Sequence, residues 1–249
     1  MIDKEKFERA KEKVVGLQRA RNGIGTLKEK TVHAVLKNYY EEDTDKQEIP
    51  IDTFVADIYN GRDIIEIQTA QFNRMREKLS SFLPAYEVTI VHPIPRFKYL
   101  VWIDKETGEY SPKRKSPITG NPYFIFPELY KIKPYLLHNN LHIKVVMMDM
   151  EELRFENKSP KRRRKSAGKY DRLPLEMVEE IAIDQREDYM QFVPYSLGNE
   201  FTSNDFAGEA HIHRSLAQVT LNILHYVGTV EKTGKRGNSI LYRVRSRKE

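Results

Sequence analysis

The 249-residue chain has no cysteine. Disulfides, thiolate nucleophiles and thiolate zinc sites are therefore excluded, and a reducing compartment, the cytoplasm, is the expected home. No run approaches eighteen apolar residues, so neither a spanning helix nor a membrane partner is expected. Met1 to Lys13 is charged throughout and lacks the apolar segment of a secretory signal, so none is expected. There is no phosphate-binding loop, zinc-binding helix motif or G-x-S-x-G elbow. Gly23-Ile24-Gly25 follows a helical stretch and lacks the third glycine of a dinucleotide loop. The seven histidines are dispersed without metal-ligand spacing.

Hydrophobic residues make up 39% and charged residues 31% of the chain, the composition of a globular protein on the polar side of average. Lys and Arg exceed Asp and Glu by 42 to 36, a net charge of +6. That excess suits a polyanion but is common among proteins that touch no nucleic acid, so its distribution matters more than its size. The densest basic run, Lys161-Arg162-Arg163-Arg164-Lys165, lies in a polar stretch that reads as a loop or linker.

The pattern is that of an α/β protein. Residues 3 to 21 read as a charged helix, and a second helix from Thr26 to about Glu42 buries Val32, Val35, Leu36 and Tyr39 at helical spacing. Thr26-Leu27-Lys28-Glu29 has the form of a capping box. Two alternating runs, Thr53 to Tyr59 and Asp63 to Thr69, flank Asn60-Gly61, a strong hairpin signal. An amphipathic helix over 70–82 and a strand from Glu87 to His92 follow, implying a parallel pair with a crossover. Further on come a hairpin across Phe97 to Lys115, a helix near 127–137 and a buried strand from Leu141 to Met150. Residues 1–155 are expected to form a mixed β-sheet flanked by helices, 156–195 a basic connecting segment, and 196–249 a small separate domain.

With Asn60 and Gly61 as the two central turn residues, Asp57 falls opposite Ile64, Val55 opposite Glu66, and Thr53 opposite Gln68. Asp57, Glu66 and Gln68 then share one face, while Phe54, Ala56, Ile58, Ile65 and Ile67 share the other. Two carboxylates so placed suit magnesium, a hard cation that keeps several waters and activates one of them near a phosphodiester. Hairpins also carry acids on their polar faces merely for solubility.

The order helix, strand with Asp57, strand with Glu66-Ile67-Gln68, helix, strand resembles the core of the PD-(D/E)XK nucleases over residues 25 to 92. The resemblance implies Asp57 and Glu66 as ligands of Mg2+, or Mn2+ in its place, aided by the Ile67 carbonyl. It also implies Gln68 at the position of the water-orienting lysine, as in some restriction enzymes of that superfamily. Glu29, on the preceding helix, is a further catalytic candidate, weighed against its capping role. His33, one turn on, reads as a surface or packing histidine.

Residues 202 to 246 resemble a winged helix. A short helix capped by Thr202 precedes a longer one from Ile212 to Tyr226, whose expected buried stripe is Leu216, Val219, Ile223 and Leu224. Two strands follow, around the tip Gly234-Lys235-Arg236-Gly237-Asn238. The resemblance implies that His213, Arg214 and Gln218 face the major groove of duplex DNA and that Lys232, Lys235 and Arg236 meet phosphates. The expectation is a magnesium-dependent endonuclease of the restriction-endonuclease-like type, carried to duplex DNA by the winged helix. A homodimer would be natural for an enzyme that cuts both strands. The alternatives are a DNA-binding regulator on a degenerate nuclease fold, and an adaptor for RNA or protein.

Overall fold

The computed structural model describes residues 2–20, 30–104, 106–156 and 169–245. The fold is α/β, with a mixed, largely antiparallel sheet flanked by helices. Two compact units are present. One comprises Met1–Asn60, Pro93–Asn121 and Val146–Glu180, the other Gly61–His92, Pro122–Val145 and Ile181–Glu249. Among the described residues no helix is long and apolar enough to cross a membrane.

In the first unit α1 (Lys4–Ala20) packs on α2 (Thr31–Tyr40), where the ring of Phe7 meets Tyr39 edge-on at 6.1 Å. The apolar positions of α2 are buried as its periodicity requires. The helix expected from Thr26 begins at Thr31, however, because Lys30 is extended (φ −72°, ψ 141°) and the Thr31 N–H donates to Asp171 at 3.3 Å. Asp171 comes from β7 (Lys169–Ile183), so a carboxylate distant in sequence sets this helix start. Strands β1 (Gln47–Ile51) and β2 (Phe54–Tyr59) pair antiparallel, and Ala56 and Ile58 of β2 are buried as alternation predicts. This unit also holds the later part of β4 (Glu87–Ile103), paired antiparallel with the short β5 (Arg114–Lys115), and parts of β6 (Leu141–Phe155) and β7. Val101, Ile103 and Leu153 form a core cluster joined by Phe155, Tyr170 and Leu173.

In the second unit β3 (Asp63–Ile67) pairs parallel with β4, from Asp63 opposite Glu87 to Ile67 opposite Val91. The crossover runs through a 3₁₀ turn, Phe72–Met75, and α3 (Arg76–Phe82), whose Leu79 and Phe82 are buried. Strand order here is β3-β4-β6-β7. Asn60, Gly61 and Arg62 separate β2 from β3. In β3 Ile64, Glu66 and Ile67 are all buried, a pattern of interior strands covered on both faces rather than half-exposed ones. α4 (Phe126–Lys131) and the 3₁₀ segment Arg186–Phe192 meet through aromatic rings. Phe126 and Phe192 are perpendicular at 5.1 Å, and Tyr123 lies 6.0 Å from Phe192 and 5.9 Å from Phe206. Phe206 belongs to α5 (Ser203–Glu209), which is followed by α6 (Arg214–Tyr226), β8 (Val230–Arg236) and β9 (Ser239–Val244).

Candidate functional site

The C-terminal segment of the second unit gathers most of the predicted DNA-facing residues. Thr202 caps α5 as expected. Its hydroxyl accepts from the N–H groups of Asn204 and Asp205 at 3.2 and 3.3 Å, and Asp205 accepts from the Thr202 N–H at 2.8 Å. This capping box holds the Asp205 carboxyl below its usual range, chiefly through the Thr202 backbone bond. A short turn containing His211 in the left-handed region (φ +51°) leads to α6, whose N-cap is His213, with Nδ1 accepting from the Ser215 N–H at 3.3 Å.

The buried stripe of α6 is Ala217, Thr220, Leu221, Ile223 and Leu224. Leu216 and Val219, expected inside, are only half-buried, because both α4 and α5 pack on α6 and small side chains at 217 and 220 admit them. His213, Arg214 and Gln218 are exposed, and Arg214 and Gln218, four residues apart, share a face. Asn222 is taken up by Lys133, whose Nζ donates to it at 2.8 Å.

β8 continues to Arg236, so the hairpin tip is Gly237-Asn238, shorter than expected, with Gly237 at φ +60° and a bulge between Lys232 and Gly234. The Phe201–Tyr242 bridge ties the segment before α5 to β9. Lys232, Lys235 and Arg236 are exposed. Arg236 lies 3.5 Å from Asp205, and Arg243 and Arg245 share Glu231 at 2.6 and 3.7 Å. Arg214, Lys232 and Lys235 form no ion pair with any described residue. Behind this surface, Arg186 reaches the end of α6, its Nε donating to the Val227 carbonyl. Its guanidinium occupies the space a Cβ at Gly228 would need, and Gly228 itself is at φ +82°.

The predicted metal ligands are distributed between the units. In the first, Asp57 Oδ2 lies 3.0 Å from His33 Nε2, with both side chains largely covered. In the second, Glu66 is 3% exposed and its Oε2 accepts from Lys78 Nζ at 2.7 Å. Ile67 is buried opposite Val91. The Gln68 side chain donates to the Ala70 carbonyl, and the Gln68 carbonyl meets His92 Nδ1 at 2.6 Å. Glu29 lies outside the described residues, as does the 161–165 basic run. Among the described residues no group of three or more His, Asp or Glu is arranged to hold a metal. The oxygen donors themselves suit magnesium. To bind Glu66, however, the ion must displace an ammonium, and to bind Asp57, an imidazole.

Sequence reasoning read His33 as a surface or packing histidine and missed Lys78. The signal for Lys78 was present: Met75, Leu79 and Phe82 form the buried stripe of that helix, and Lys78 sits at i+3 within it. A lysine on an apolar stripe needs a buried acid.

Comparison with known proteins places residues 30–184 in a family described as a domain of unknown function, DUF8091; the match spans more than half of the chain, which belongs to that family. Its stretch ends just after β7, so α5, α6, β8 and β9 lie beyond it. A protein of Treponema pallidum (strain Nichols), itself described only as uncharacterized, is 27% identical over 222 residues, covering 88% of this chain and 87% of that protein. No solved structure matches.

Proposed function

We propose that this protein binds duplex DNA through α5, α6 and the β8–β9 hairpin, in the manner of a winged helix. The observation that carries the reading is the set of exposed cations without acidic partners among the described residues, Arg214 on α6 with Lys232 and Lys235 on the hairpin, over a buried base of Leu221, Ile223 and Leu224. Cations left uncompensated in a folded chain are available to phosphates, and Gln218, beside Arg214, offers amide donor and acceptor groups to base edges. The Phe201–Tyr242 bridge supports the same reading, since it anchors the helix pair to the hairpin. The test is fluorescence anisotropy of a labelled random duplex titrated between about 50 and about 200 mM salt. Affinity that falls steeply with salt supports the proposal. Affinity indifferent to salt, or confined to single-stranded RNA, overturns it.

Magnesium-dependent phosphodiester cleavage is the second reading. It rests on buried Glu66 with Lys78 beside it, a fixed cation that Gln68 does not provide. Nicking of supercoiled plasmid by the wild type but not by Glu66→Ala or Asp57→Ala, and abolished by EDTA, supports cleavage. Intact binding without nicking assigns the protein to the non-catalytic class.

A further inference from the structure

A pocket of about 460 Å³ opens in the second unit, a volume typical of small-molecule sites. Leu141, Ile143 and Ile183, all buried, form apolar walls where β6 begins and β7 ends. Tyr189, from the 3₁₀ segment Arg186–Phe192, lines the same pocket and is 2% exposed, yet its hydroxyl has no hydrogen-bond partner among the described residues. The ring is buried while the hydroxyl oxygen itself is reached by solvent, so it opens on the pocket rather than on packed protein. Burial also pushes the phenol well above its ordinary range, so it remains a donor at any physiological pH.

The mouth sets the charge of what can enter. Asp184 and Glu187 contribute carboxylates. The cation between them, Arg186, directs its Nε to the Val227 carbonyl and its guanidinium against Gly228. Two carboxylates outnumber one guanidinium at the mouth, which disfavours an anion there. The His142 imidazole, its Nδ1 3.4 Å from Asp184, is held on its other side by Glu87 at 2.8 Å and adds no donor toward the pocket walls.

We infer that this pocket binds a small planar organic molecule, uncharged or cationic, whose acceptor atom takes the Tyr189 hydroxyl proton in a hydrogen bond while its ring lies against Leu141, Ile143 and Ile183. The inference does not depend on DNA binding.

Saturation-transfer NMR on the full chain tests it, with benzamide, benzamidine, benzoate and toluene as probes. Benzamide and benzamidine should receive saturation and benzoate should not. Tyr189→Phe, which keeps the volume, should weaken benzamide at least about fivefold while leaving toluene unchanged. Leu137→Trp, at the exposed mouth, should reduce every probe. Asp184→Asn with Glu187→Gln should admit benzoate. Benzoate binding the wild type as well as benzamide does would overturn the inference. So would benzamide binding unaltered by Tyr189→Phe, or no probe receiving saturation at all.

Discussion

Basic side chains are handled in opposite ways at two places in this chain. In the first unit, on β4, β6, β7 and the residues beside β5, cations are matched to buried acids. Arg96 grips Asp149 through two bonds of 2.9 and 2.7 Å, Lys113 pairs with Glu151, and Lys98, Arg154 and Arg172 converge on Glu152, which is fully buried. The Asp149 carboxyl is held below its usual range; burial opposes this, but the hydrogen bonds from Arg96 and the Phe97 N–H outweigh it. On α6 and the β8–β9 hairpin, Arg214, Lys232 and Lys235 stand exposed without such partners among the described residues. The same residue types serve internal cohesion in one place and face solvent in the other. Counting charges along the sequence cannot separate the two, because the difference lies in which acids the sheet delivers.

The largest expected effect comes from breaking the matched region. Glu152→Ala leaves three cations without their shared acid and should destabilise the protein by about 3 kcal/mol or more in urea unfolding. A loss under about 0.5 kcal/mol would mean that those cations are solvated after all and that the contrast is false. Next comes the unmatched region. Arg214→Ala, Lys232→Ala and Lys235→Ala together should leave stability within about 0.5 kcal/mol of wild type, as expected of surface changes. The same variant should flatten the salt dependence of duplex binding by roughly 0.9 log unit per lost phosphate contact, lowering affinity about 100-fold near 0.1 M salt. Unchanged binding would remove this surface from the DNA reading.

The smallest effect sharpens the boundary between the two kinds of charge. Asp205 belongs both to the α5 capping box and to the Arg236 pair. Its folded-state pKa is depressed, so the stability it adds is fully present above its unfolded value near pH 4 and is lost as pH falls through the lower folded value. Asp205→Asn should therefore shrink the acid limb of the thermal-melting profile below about pH 4 and leave neutral-pH binding intact. An acid limb identical to wild type would show that the cap contributes nothing through its charge.

The sequence patterns located most elements, because periodicity reports one-sided burial. Their failures have local causes. The strand expected to stop at His92 continues through Pro93 and Pro95 to Ile103. β3 ends opposite Val91, so the two prolines lie beyond the last residue pair of the β3–β4 ladder, where their missing N–H groups cost little. Glu66 read as surface because alternation assumes one wet face, and a strand parallel to its neighbour and covered on both sides has none. The start of α2 was misplaced because its first N–H is satisfied by Asp171, 140 residues away, which no local motif announces. The α5 cap, by contrast, lies wholly within Thr202 to Asp205, and it was legible.

Gly228 and Arg186 constrain each other across generations as well as across space. Any side chain at 228 must also adopt a backbone angle of +82° while evicting a guanidinium that holds the last turn of α6. A lineage can replace that glycine with less disturbance after position 186 has shortened. Among descendants of one ancestor the two positions should change together, in that order.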